Sequence, residues 1–130
     1  MVSKKVCCYL SHNYGIAGKI ENNNVLKDIT FLKDYYHGSK SIELCEVRLN
    51  KIILNKLINK NTKLVIGGNL DNQLTSLSYA LANQKIGYLG VYSACASFVE
   101  GLIIASLFAN KKDEIIVITS SHNLISERQF

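Results

Sequence analysis

The sequence predicts an α/β fold: a mostly parallel sheet with helices on both faces. Three observations carry that expectation. Residues 63–67 (KLVIG), 88–92 (YLGVY) and 114–119 (EIIVIT) are short apolar runs, continuous rather than alternating in polarity. Strands buried on both faces read that way, because neither face meets water. Segments with helical spacing separate the runs, so from residue 41 the order is α-β-α-β-α-β, with right-handed crossovers. The chain has 130 residues, 48% hydrophobic and 19% charged, which suits one domain with a real core. The whole of 1–130 is read as that domain, with its regular part at about 41–120.

The first forty residues are the least regular. Residues 6–10 suggest a short strand, and 14–18, with two glycines, a turn. Residues 21–24 (ENNN) read as an exposed loop. Residues 30–38 scatter Phe31, Tyr35 and Tyr36 without a period. Regularity begins at Ser41. Ile42, Cys45, Leu49, Ile52, Ile53 and Leu57 follow one helical face. Ser41 is the expected N-cap, Glu43 and Glu46 lie in the first turns and Lys56 and Lys60 near the end, an order that complements the helix dipole. Cys45 on that face is read as packing. The strand at 63–67 ends in Gly67 and Gly68. Asn69 or Asp71 then caps a second helix with Leu74, Leu77, Ser78 and Leu81 inward, closed by Asn83 and Gln84. The strand at 88–92 leads into an apolar helix that carries Cys95 at its start and runs to about Ala109. Residues 110–113 form a turn before the third strand.

Several function classes are disfavoured. The formal charge is +5, but nearly all of it is lysine spread along the chain. With Arg48 and Arg128 the only arginines, there is no arginine cluster and no aromatic platform, so no nucleic-acid partner is expected. Cys7, Cys8, Cys45 and Cys95 make no C-x-x-C and no zinc-like spacing with His12, His37 or His122, so neither a metal nor a cofactor is expected. No apolar h-region marks a signal peptide, and free thiols fit a reducing cytoplasm. Residues 86–109 hold a single charge, Glu100, over a length that spans a bilayer. An acid near the bilayer centre and glycines at 87, 90 and 101 argue instead for a buried strand, turn and helix.

Ligands of open α/β sheets bind at the carboxyl ends of the strands. The first end offers Gly67, Gly68, Asn69 and Asp71, the last of these read as a cap. The second offers Ser93 and Cys95; the third offers Thr119, Ser120, Ser121, His122 and Asn123. A thiol at a helix N-terminus meets unpaired N–H groups and the positive end of the dipole, both favouring the nucleophilic thiolate. The alternative is a buried cysteine acting as a small hydrophobe. His122 lies in a run rich in turn formers and reads equally as a turn residue or a base. Glu127 and Arg128 read as an exposed pair or as the mouth of the site. Glu100, if buried on its apolar helix, requires a partner. No dinucleotide or phosphate loop and no G-x-S-x-G elbow is present, which removes Ser93 and Ser97 as hydrolase nucleophiles.

Residues 90–97 (GVYSACAS), with the apolar helix that follows, resemble the nucleophile elbow of the thiolase superfamily. Together with 67–73 (GGNLDNQ), 119–123 (TSSHN) and 126–130 (SERQF), they resemble more specifically the stage V sporulation protein AD family, over about residues 35–130. The resemblance implies a thiolase-like half-domain, truncated relative to a fold of two similar α/β halves that is usually dimeric. It implies a protein that binds dipicolinic acid, as the calcium chelate, and helps load it into the developing spore beside membrane proteins of the same operon. That role is cytoplasmic and peripheral at the spore inner membrane. Cys95 and Ser93 would line the pocket, with His122, Asn123, Glu127 and Arg128 nearby; a dicarboxylate suits Arg128 and the helix N-terminus. The alternative it implies is a fragment of an acyl-transferring enzyme with Cys95 as nucleophile. Such a cycle needs a base and oxyanion donors that the family draws from a second half, so the reading leans away from an enzyme. Pairing as a homodimer, or with a C-terminal half, is expected to cover apolar surface.

Overall fold

A computed structural model describes residues 8–18, 29–70, 74–110 and 112–122. The order is β1 (Gly15–Ala17), β2 (Ile29–Phe31), α1 (Ile42–Leu57), β3 (Thr62–Asn69), α2 (Thr75–Leu81), β4 (Gly87–Gly90), a short 3-10 turn (Ala94–Ala96), α3 (Ser97–Phe108) and β5 (Glu114–Ser120). The last three strands form one parallel sheet in the order β4-β3-β5. β1 and β2 pair in parallel as a separate two-stranded sheet. The α/β class and the parallel sheet are as predicted.

Helices cover both faces. On one, Leu54 of α1 and Leu77, Ala80 and Leu81 of α2 pack with Val65, Ile116 and Ile118 into a single buried cluster. Each such Leu, Ile or Val contributes roughly 1.5–3 kcal/mol by leaving water. On the other face α3 lies so close that a Cβ on Gly101 would stand 2.7 Å from Val117 Cγ1 and 3.6 Å from Ile66 Cγ2. Glycine there lets the helix backbone rest on β3 and β5.

The N-terminus of α1 is built as expected. Ser41 is extended (φ −145°, ψ 164°) and its Oγ accepts from the Leu44 N–H at 3.2 Å. Its buried face differs, comprising Cys45, Glu46, Asn50 and Leu54. Glu46 is thus no exposed dipole partner: α2 and the strand ends close over it and provide its hydrogen bonds. Asn69 ends β3 rather than beginning a helix, yet its Oδ1 accepts from the Leu77 N–H at 3.3 Å. It caps α2 from across a loop. Asp71 lies outside the described residues.

Other boundaries move. Residues 14–18, expected as a turn, contain β1, because pairing with β2 at long range outweighs the local glycine signal. Residues 8–10 carry no strand, and the expected loop at 21–24 lies outside the described residues. The strand expected at 88–92 is β4, Gly87–Gly90, although the Val91 N–H still reaches the Gly67 carbonyl at 3.0 Å. Asn110 holds the turn before β5, its Oδ1 accepting from the N–H groups of Lys112 and Asp113 at 2.8 and 2.9 Å. Residues 86–109 divide into strand, turn and a 12-residue helix. No helix among the described residues is long and apolar enough to cross a membrane.

Candidate functional site

The three strands of the main sheet end at the same edge: Ser120 of β5 lies level with Asn69 of β3, and β4 ends two residues short of them, with Gly90 level with Gly67. From β4 the chain passes into the Cys95 turn. Ala94 adopts φ +44°, the left-handed region that a side chain disfavours. The turn is tied down by Ser93. Its carbonyl accepts from the Ala96 N–H at 2.8 Å, its N–H donates to Ser97 Oγ at 3.2 Å, and its hydroxyl donates to the Glu100 carboxylate. Ser97 is buried and Glu100 half-buried, so the half-buried acid of the apolar helix has found the partner it requires.

Cys95 itself lies in the 3-10 turn that leads into α3, and it is exposed. Its thiol has no hydrogen-bond partner among the described residues. Cys95 takes no part in the core formed by the described residues. Cys45 is the opposite: it is 0% exposed. Burial pushes its thiol up, Asp34 adds to that and Arg48 opposes it, so Cys45 is an inert core thiol.

His122 follows β5 by two residues and is buried. Its Nε2 lies 2.8 Å from the Tyr35 carbonyl. A carbonyl only accepts, so Nε2 carries a proton. This bond ties the end of β5 to the 34–38 loop, where Asp34 Oδ1 accepts from the N–H groups of Tyr36 and His37 at 2.9 and 2.7 Å. Arg48 of α1 donates to the His37 carbonyl at 3.0 Å from the other side. Ser93 and Cys95 thus share one turn, while His122 leaves from the far flank of β3. Two strand spacings, roughly 10 Å, separate the ends of β4 and β5. Asn123, Glu127 and Arg128 lie outside the described residues.

The feature that the sequence did not disclose is a buried polar hub at this same edge. Glu46 is 1% exposed. Its Oε1 accepts from Asn69 Nδ2 at 3.0 Å and from the Ser120 hydroxyl at 2.8 Å, and its Oε2 accepts from the Ser76 hydroxyl at 2.6 Å. Ser120 Oγ in turn accepts from Asn50 Nδ2 at 3.1 Å and from Asn69. One carboxylate therefore joins α1, α2, β3 and β5 through neutral donors. The available signal was the spacing Glu46, Asn50, Leu54, every fourth residue on the helix face that also buries Cys45.

The family model described as Stage V sporulation protein AD (SpoVAD) matches residues 3–130. A relative from Bacillus subtilis (strain 168), named Stage V sporulation protein AD, is 33% identical over 125 residues, which is 88% of this chain and 37% of the relative. The chain thus spans well under half the length of the curated relative it matches.

Proposed function

Because the chain belongs to the stage V sporulation protein AD family, we propose that it contributes one wall of a binding site for dipicolinic acid, free or as its calcium chelate. The observation that carries this reading is the exposed Cys95 turn, held in a strained conformation at the carboxyl edge of the sheet. Strain of about 1–3 kcal/mol persists only where surrounding bonds over-determine it, and it gathers at ligand sites. The N–H groups of Ala94 and Cys95 precede the first hydrogen-bonded turn leading into α3, a setting that favours a carboxylate. Ala94, Ala96 and Ser97 beside the sulfur are small enough to let an aromatic dicarboxylate approach.

The rest of the site comes from chain beyond these strands. α3 exposes Phe98, Ile103, Leu107 and Phe108, the last three by 59%, 78% and 59%. Large apolar side chains exposed in such number along one helix mark an interface, and in our reading the remainder of a family-length protein covers them. Membrane proteins of the same sporulation operon are the further partners proposed, and delivery of the ligand into the spore is the proposed role.

Isothermal calorimetry tests the reading. Dipicolinate, with and without equimolar calcium, is titrated into the chain joined to the segment that follows in its relatives. Saturable heat, weakened at least about tenfold by Cys95→Ala, is expected, a change of about 1.4 kcal/mol. No heat, or heat indifferent to Cys95, would remove the site. A covalent adduct at Cys95 after incubation with acyl-coenzyme A would favour acyl transfer instead.

A further inference from the structure

α3 contains one charged residue, Glu100, in the run SFVEGLIIASLF. It sits half-buried on an otherwise apolar helix, where a carboxylate without partners is costly. Six residues earlier the chain forces Ala94 to φ +44°, a conformation an alanine does not hold by itself. Ser93 immediately precedes Ala94, and every polar group it has is engaged. Its carbonyl and its N–H close the first turn against Ala96 and Ser97, and its hydroxyl reaches Glu100. The first two bonds are local bonds between neutral groups, whereas a hydrogen bond to an ionised group is roughly twice as strong.

We infer that Glu100 is the positioning residue of the Cys95 turn: through the Ser93 hydroxyl its carboxylate holds Ala94 in the left-handed conformation and so fixes the thiol at the start of α3. Ser93 then acts on the site by orienting Cys95, not by offering its hydroxyl to a ligand. The inference rests on the proposed site only for its biological consequence; the geometry it concerns is read directly at the thiol.

The experiment is site-resolved alkylation of the 130-residue chain with iodoacetamide, followed by mass spectrometry. Cys8, exposed and far in sequence, is the internal reference, and buried Cys45 reports unfolding. A thiol fixed at a helix start reacts faster than one in a loose loop. Ser93→Ala and Glu100→Ala are therefore expected to slow Cys95 relative to Cys8 by about fivefold or more, with Cys45 still unlabelled. Ser93→Thr and Glu100→Gln keep a donor and an acceptor and are expected to restore the rate to near that of the parent chain. Should Glu100→Ala unfold the chain and expose Cys45, the Ser93 pair decides alone. An unchanged ratio in Ser93→Ala, or Glu100→Gln as slow as Glu100→Ala in folded protein, would overturn the inference. Neither result depends on dipicolinate, so the alkylation and the calorimetry fail separately.

Discussion

Alanine at Glu46 is expected to lower the stability of the chain by about 3–5 kcal/mol, as for a substitution that breaks a buried hydrogen-bond network. The carboxylate is the shared acceptor for the Asn69 amide and the Ser76 and Ser120 hydroxyls. Removing it leaves two buried donors and one half-buried donor without that acceptor, at about 1–3 kcal/mol for each buried group left unsatisfied, and opens a cavity as well. Those donors belong to three different elements, so the loss does not stay local. Glutamine keeps the volume and one oxygen, but its amide group meets a donor already in place; a loss of about 1–2 kcal/mol is expected. Urea denaturation measures both. A double-mutant cycle with Ser76→Ala is expected to give a coupling of at least about 1 kcal/mol. A loss below about 1 kcal/mol for Glu46→Ala would show that the hub does not hold the edge together.

Gly67→Ala is the second large effect, and its sign runs against intuition. Alanine in a strand interior is ordinarily better than glycine, by roughly 0.5–1 kcal/mol. At Gly67 a Cβ would stand 1.8 Å from the Ile118 carbonyl oxygen and 3.2 Å from Leu77 Cδ2. The nearer group is backbone of the neighbouring strand, so relief requires β3 and β5 to part at the centre of the sheet. Overpacking of a core costs about 1–3 kcal/mol when side chains can yield, and here backbone must yield, so about 3 kcal/mol or more is expected. Gly18→Ala, where nothing lies within 4 Å, is the control and should change stability by less than about 0.5 kcal/mol. Gly67→Ala within about 1 kcal/mol of the parent chain would contradict the close approach of β3 and β5.

The contrast between these sites also shows what the sequence makes legible. Local chemistry was readable: Ser41 caps α1, Asn110 holds its turn, and three continuous apolar runs became one parallel sheet. Interactions that close over long sequence distances were not. Glu46 looked like a first-turn acid because helix dipoles and periodicity are properties of one segment. Its actual partners lie 23, 30 and 74 residues away. The same holds for residues 14–18, whose two glycines signal a turn until β1 pairs with β2. At the candidate site the sequence pointed to Cys95 and to its small neighbours. The strained Ala94 and the Ser93–Glu100 bond that holds it became visible only when the turn was folded. His122 was legible as a residue of the sheet edge, whereas its bond to Tyr35 spans 87 residues.

The claim that the Cys95 turn is a wall of the ligand site is tested most directly by protection of its thiol. In the family-length protein, Cys95 and Cys8 are alkylated with and without saturating dipicolinate, and each site is quantified by mass spectrometry. Occupancy by a ligand at tenfold its dissociation constant leaves roughly a tenth of the site open, so Cys95 is expected to label about tenfold more slowly while Cys8 is unaffected. Equal labelling of Cys95 in the presence and absence of a ligand that calorimetry shows to be bound would place the ligand elsewhere and contradict the claim.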